Sequence, residues 1–250
     1  MSSFQYLLKI DGLHDVLKDN NEKLQIDNVT FYHNGMNYTA SVTLSAENEM
    51  EGFDAAKYLV TIALSKIVFA YNTEAFIDDK AFNYSDLDSS PRIPQFVRTF
   101  GIRWSYVEED PKVVLPKLSK INADKKEVIE LALAYYQLSH YFNPLRLETL
   151  FSSMAVLIKD LLSKENSYHL KTEEFKDKVI EVMKIKDSKF DVNRFHSDWQ
   201  ECYTNERNSI SHGRPTNLVA LKNQEYLRLV NKVASWTIMV FYYYIDLNQT

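Results

Sequence analysis

A single cysteine, Cys202, stands in this 250-residue chain, so no intramolecular disulfide can form and a reducing compartment is expected. Glycine and proline are scarce, at 5 and 6 residues, which argues against a sandwich of short, turn-rich strands and favours long helices. No run suits a membrane span: residues 53–71 contain Lys57 and Lys66, and residues 233–247 fall short of a bilayer core. Met1-Ser-Ser-Phe-Gln-Tyr has no basic stretch followed by an apolar one, so no signal peptide is expected. A cytoplasmic protein without a membrane partner follows as the expectation. Positive charge is also short. A net charge of −5 is wrong for holding long duplex nucleic acid by charge alone, so any RNA contact must be local.

Several chemical signatures are missing too. The six histidines form no His-x3-His pair and there is no Cys-x2-Cys, so no metal is expected. No Gly-x-Gly-x-x-Gly or Walker loop occurs, so no nucleotide cofactor is expected. Ser211 adjoins His212, but no nucleophile-elbow glycines surround it. His196 lies near Asp198, which reads as a surface pairing.

The chain is rich in aromatics, with 16 Tyr and 14 Phe, and 45% of its residues are apolar. That is ample material for a buried core. The fold class expected is α+β in the first part, a hairpin plus a helix, followed by an all-α up-and-down bundle. Residues 24–33 are rich in strand formers and residues 36–45 alternate, with Tyr38, Ala40, Val42 and Leu44 on one face. Asn34-Gly35 between them is a hairpin signal, because both residues accept positive φ. Residues 51–71 predict a helix that is apolar on most sides and therefore largely covered. Residues 72–111 read as loops with one further strand within 96–107, and a domain boundary near Pro111. The expected domains are thus 1–110, of unknown role, and 112–250. Helices are expected over 122–141, 145–163, 172–186, from Asp191 to His212, and 218–247. Asn122 and Asp124 are candidate caps, Asn143-Pro144 a break, and Gly213 with Pro215 a stop. Short links between long amphipathic helices predict an antiparallel bundle.

The helix ending at His212 carries the chemistry. At 100° per residue, Phe195, Trp199, Cys202, Tyr203, Glu206 and Ile210 share about a third of the circumference. That stripe should be buried, leaving Arg207, Asn208, Ser211 and His212 on the other side. A helix C-terminus favours a protonated imidazole, which suits His212 for acid or base chemistry. Arg207 offers a fork for phosphate at any pH, and Asn208 a neutral donor and acceptor. Arg and His on one polar face are a minimum for RNA cleavage, since the RNA's own 2′-OH is the nucleophile. As a bare spacing Arg-x4-His also arises by chance. The alternative is a solvated helix end with Arg207 paired to Glu206 or another carboxylate. Phe241-Tyr242-Tyr243-Tyr244 would suit base stacking, but so apolar a helix favours a core or dimer interface.

Arg207-Asn208-Ser209-Ile210-Ser211-His212-Gly213, near the end of one bundle helix and followed by a last long helix, resembles HEPN domains. Residues 132–162 are similar to HEPN helices. Tyr135-Tyr136, then Arg146-Leu147-Glu148 opening a Leu/Phe-rich helix, resemble the ApeA-like branch. The resemblance covers roughly residues 112–250. It implies a helical bundle and a metal-independent endoribonuclease of toxin or antiphage defence systems, working as a homodimer with two Arg/His motifs in one cleft. Carried over, Arg207 would stabilise the phosphate, His212 would be acid and base, and Asn208 would orient phosphate or ribose. Glu148 would be the supporting acidic residue, with a first-turn carboxylate held by the helix dipole as the alternative. Ser211 would lie beside the site, and Arg214 and Lys222 would extend a phosphate track. RNA is the implied substrate, with an antitoxin or defence-system protein as a further partner. The competing function is a catalytically inactive HEPN scaffold that binds a partner protein, RNA or a nucleotide. A sensor role for residues 1–110 is suggested by position alone.

Overall fold

A computed structural model describes residues 2–19, 22–73, 75–78, 110–141, 145–164, 169–207 and 224–249. The chain divides into two compact units, Met1–Arg103 and Trp104–Thr250. The first carries an antiparallel sheet and the second is helical.

The sheet has strand order β2-β3-β4-β1-β5, with β1 Ser2–Asp11, β2 Lys23–Ile26, β3 Val29–His33, β4 Tyr38–Ala46 and β5 Phe76–Ile77. The hairpin expected around Asn34-Gly35 is present as β3 and β4, with His33 opposite Tyr38. Its loop works differently from the expectation. Only Gly35 takes a positive φ, +94°. Asn34 acts through its side chain, whose Oδ1 accepts from the backbone N–H of Met36 (3.0 Å) and Asn37 (2.8 Å). The stretch 24–33 is not one strand. It folds back at Asp27-Asn28, where Asp27 is left-handed (φ 50°), so Ile26 pairs with Val29. The Asp27 carboxylate accepts from Lys66 Nζ at 2.6 Å, which partners an ammonium that is otherwise buried. The sequence reading assigned no strand to residues 2–11. They form β1, paired to β4 from Ser2–Ala46 to Ile10–Tyr38. Tyr6, Leu8 and Ile10 are buried while Leu7 is exposed, the period-two pattern of a half-covered strand.

Helix α1, Glu49–Tyr71, lies on this sheet against β4, β1 and β3. Asn48 caps it by accepting from the Glu51 N–H at 2.9 Å, and a left-handed Asn72 ends it. Residues 62–70 are all buried, as a helix apolar on most sides requires. The strand expected within 96–107 lies outside the described residues.

The second unit opens with α2, Pro111–Ser119, where the sequence reading placed a loop and boundary. Pro111 sits at the start of the helix, where its missing N–H costs nothing, and Asp110 accepts from the Lys112 N–H at 2.9 Å. A 3₁₀ turn, Ala123–Lys125, leads into α3, Lys126–Tyr141. Asn122 makes no side-chain cap bond; its N–H donates to the Asn248 carbonyl at 2.9 Å, tying this turn to the end of the chain. Helix α4, Arg146–Leu161, packs against α3 and against α7, Gln224–Leu247. Helix α5 is Thr172–Lys186 and α6 is Val192–Trp199. The expected break at Asn143-Pro144, the stop at Gly213 and Pro215, and residues 218–223 of the last expected helix lie outside the described residues.

Leu147, Leu150, Phe151, Met154, Leu157 and Ile158 of α4 are buried together with Val230, Val233, Phe241 and Tyr244 of α7. The aromatic run near the C-terminus is therefore mostly core. Tyr244 Oη donates to Asp160 at 2.9 Å, and Lys125 pairs with the same carboxylate at 3.0 Å. Among the described residues, no helix is long and apolar enough to cross a membrane.

Candidate functional site around Arg207

Asp191 caps α6 by accepting from the Arg194 N–H at 3.1 Å. The expected α-helix does not continue unchanged beyond Trp199. Gln200–Arg207 is π-helical. Positions 199, 203 and 207 are four apart and so are neighbours along one side of the helix. Tyr203 accordingly stacks on Trp199, with centroids 5.0 Å apart and planes at 15°. Arg207 Cζ lies 5.2 Å from the Tyr203 ring centroid, in cation–π range. Tyr203 also meets Phe151 of α4 edge-on at 5.0 Å and Phe175 of α5 at 6.0 Å.

This corrects the placement of Arg207. Four residues after Tyr203, Arg207 borders the aromatic stripe, about 40° round from it even at α-helical winding. In the structure it lies over the Tyr203 ring and faces Glu148 of α4. There Arg207 Nη2 is 3.6 Å from Glu148 Oε1, each side chain being 30% exposed. Glu148 stands in the first turn of α4.

Phe195, Trp199 and Cys202 of the expected stripe are buried and Tyr203 is half-buried. The side chain of Glu206, and Ile210, lie outside the description. So do Asn208, Ser211, His212, Arg214 and Lys222, and the structure does not test their assembly with Arg207. Burial chiefly pushes the Cys202 thiol up to about 12, which makes it a core side chain rather than a nucleophile.

His140 near the end of α3 and Arg146 at the start of α4 form a second polar pair, inside the core. Arg146 is buried and donates from Nη2 to the His140 carbonyl at 3.2 Å. The His140 ring packs edge-on against Tyr136 at 5.3 Å. Burial, with the Arg146 charge second, holds the imidazole down to about 3, so it is neutral across the working range. This pair is structural.

Beside Arg207 the helical unit opens a cleft of about 430 Å³. Tyr203 and Arg207, Ser152, Ala155, Val156 and Lys159 of α4, and Tyr135 and His169 are among the residues that line it. The sequence reading noticed Tyr135 only within the resemblance and counted His169 only among unspaced histidines; it gave Lys159 no role. A signal existed. Positions 152, 155, 156 and 159 are one face of a helix, and small residues there leave a trough that ends at a lysine. Among the described residues, no three His, Cys, Asp or Glu side chains converge as metal ligands do. No protein-family model, curated protein or solved structure matches this chain.

Proposed function

We propose that the chain is a HEPN-type, metal-independent endoribonuclease that works in the cytoplasm as a homodimer, in a toxin or antiphage defence system. The observation that carries the reading is the mounting of Arg207. It contacts Glu148 and Tyr203 and lines a cleft, one residue before Asn208 and five before His212. A guanidinium held on two sides loses little freedom when it takes a phosphate. In the proposed reaction the RNA 2′-oxygen attacks the adjacent phosphorus, and the P–O5′ bond breaks. An imidazole, His212, accepts the proton leaving the 2′-OH, and a protonated imidazole returns one to the O5′ leaving group. The products are a 2′,3′-cyclic phosphate and a 5′-hydroxyl. Arg207 stabilises the charge that builds on the phosphorane oxygens, and Asn208 orients phosphate or ribose. Two facing copies would exclude water from a site that one copy leaves open.

The test is incubation of the purified protein with mixed RNAs in EDTA, beside Arg207→Ala and His212→Ala. Cleavage should fall about 100-fold or more in each variant. RNA left intact by the wild type, or cut equally by the variants, defeats the proposal. One observation favours a second reading, an inactive scaffold of the same type: Glu148 already occupies the Arg207 guanidinium. In that case the protein binds its partner without cutting, and Glu148→Gln does not create activity.

A further inference from the structure

We propose that Asn34 is a self-modification site, where the β3–β4 turn promotes attack of the Gly35 backbone nitrogen on the Asn34 side-chain amide. Ammonia leaves, and water opens the resulting succinimide to aspartate or isoaspartate. The site lies in the first unit, and nothing in it rests on the ribonuclease reading. Asn34-Gly35 is the one Asn-Gly pair in the chain; every other asparagine precedes a residue that carries a side chain.

The reaction makes a demand at an electrophile, a nucleophile and a leaving group, and the turn supplies a partner for each. The electrophile is Asn34 Cγ. Its oxygen, Oδ1, accepts from the N–H of Met36 at 3.0 Å and of Asn37 at 2.8 Å. Negative charge gathers on that oxygen when a nitrogen adds to Cγ, and two fixed backbone donors stabilise it as an oxyanion hole does. The nucleophile is Gly35 N, whose N–H donates to His33 Nδ1 at 3.3 Å. A peptide nitrogen attacks only as its proton leaves, and the imidazole stands where it can take that proton. The His33 ring is itself held edge-on against Tyr38, with centroids 5.0 Å apart. The leaving group is Asn34 Nδ2, which donates to Thr39 Oγ1 at 3.0 Å. The amide is thus held at both its oxygen and its nitrogen, beside the residue that attacks it.

Access is the second argument. Gly35 brings no Cβ to the attack, and nothing lies within 4 Å of where one would stand. Asn34, Gly35 and Met36 are exposed, so water reaches the succinimide. In the first step the bond from Gly35 N to Asn34 Cγ forms and the bond from Cγ to Nδ2 breaks. The Gly35 proton passes to His33 and on to solvent, and Nδ2 takes one from solvent to leave as ammonia. In the second step one water is consumed. Water that adds at Cγ gives aspartate with the main chain unchanged. Water that adds at the main-chain carbonyl gives isoaspartate, whose main chain runs through Cβ and Cγ and is longer by an atom. Either product adds a negative charge. Isoaspartate also lengthens the turn that sets His33 opposite Tyr38.

A turn that merely immobilised Asn34 would slow the reaction relative to a flexible chain, so the rate in the folded protein against that in a peptide is the deciding measurement. Full-length protein and a synthetic peptide of residues 29–42 are aged in the same neutral buffer. Mass spectrometry of the digest fragment holding Asn34 follows deamidation, and enzymatic methylation counts isoaspartate. The folded protein should react about ten-fold faster than the peptide. His33→Ala and His33→Gln, shown to be folded by circular dichroism, should each slow the folded protein about ten-fold. A folded wild type that deamidates at Asn34 no faster than the peptide overturns the inference, as do folded His33 variants that match the wild type. If both variants fail to fold, the comparison of wild type with peptide still decides. Cleavage of RNA, present or absent, has no bearing on either outcome.

Discussion

Two basic side chains near helix ends show how burial decides chemistry at the scale of a residue. His140 lies in the last turn of α3, where the helix dipole favours a charged imidazole by at most about 2 kcal/mol. Burial of the ring is the larger effect and, with Arg146, holds it down to about 3. The same dipole argument, applied to His212 from sequence, depends on that residue being exposed. The depressed value also has a sign. An unfolded histidine titrates near about 6.5, so between pH 6.5 and 3 the proton prefers the unfolded chain. The stabilisation is complete above about pH 6.5 and is lost as pH falls, at about 1.4 kcal/mol per pH unit. Urea denaturation of wild type and His140→Gln at pH 7, 6 and 5 checks this. The variant should be flatter by about that slope, and an equally steep decline would acquit His140. Arg207 and Glu148, by contrast, are part-exposed, and their ion pair contributes no more than about 1 kcal/mol. Its consequence is orientation, not stability.

At the scale of elements, close approach and winding override propensity. Gly52 lies in the first turns of α1, where alanine would ordinarily be the better helix former by about 1 kcal/mol. A Cβ at Gly52 would come 1.9 Å from Tyr6 Oη and 3.0 Å from Ala46 Cβ. The Tyr6 ring is buried and its hydroxyl donates to the Glu49 carbonyl at 3.0 Å, so it has little room to yield. Gly52→Ala should therefore destabilise the protein by about 1–3 kcal/mol in chemical denaturation, with Tyr6→Phe restoring part of the loss. A stabilised Gly52→Ala would mean that α1 stands further from β1. The π segment is the other case. Residues 192–207 read as one α-helix because polar and aromatic residues alternate at nearly the same spacing in both windings. The structure winds Gln200–Arg207 as a π-helix, which the residue pattern does not distinguish.

At the scale of the whole molecule, the proposed cleavage needs two copies. Light scattering should give twice the 29.2 kDa of one chain at concentrations where RNA is cut. A 29.2 kDa species that cuts RNA would eliminate the two-motif cleft. Much of the architecture was legible without coordinates. Strong periodicity and the Asn34-Gly35 turn signal located the β3–β4 hairpin, α1, α4 and α5 closely, because those signals are local. β1 escaped because its partner strand, β4, lies far along the chain, with Ser2 opposite Ala46, and α2 because a proline that starts a helix resembles one that breaks a chain. For the candidate site, residue types pointed to Arg207 and Glu148 one at a time. Their meeting depends on how α4 and the π segment pack. Sequence alone determined which segments form helices and which of their faces are apolar, since local backbone preference and hydrophobic spacing are properties of neighbours in the chain. Tertiary structure alone decided which way Arg207 faces and what stands around it, since that depends on contacts between residues about 60 positions apart.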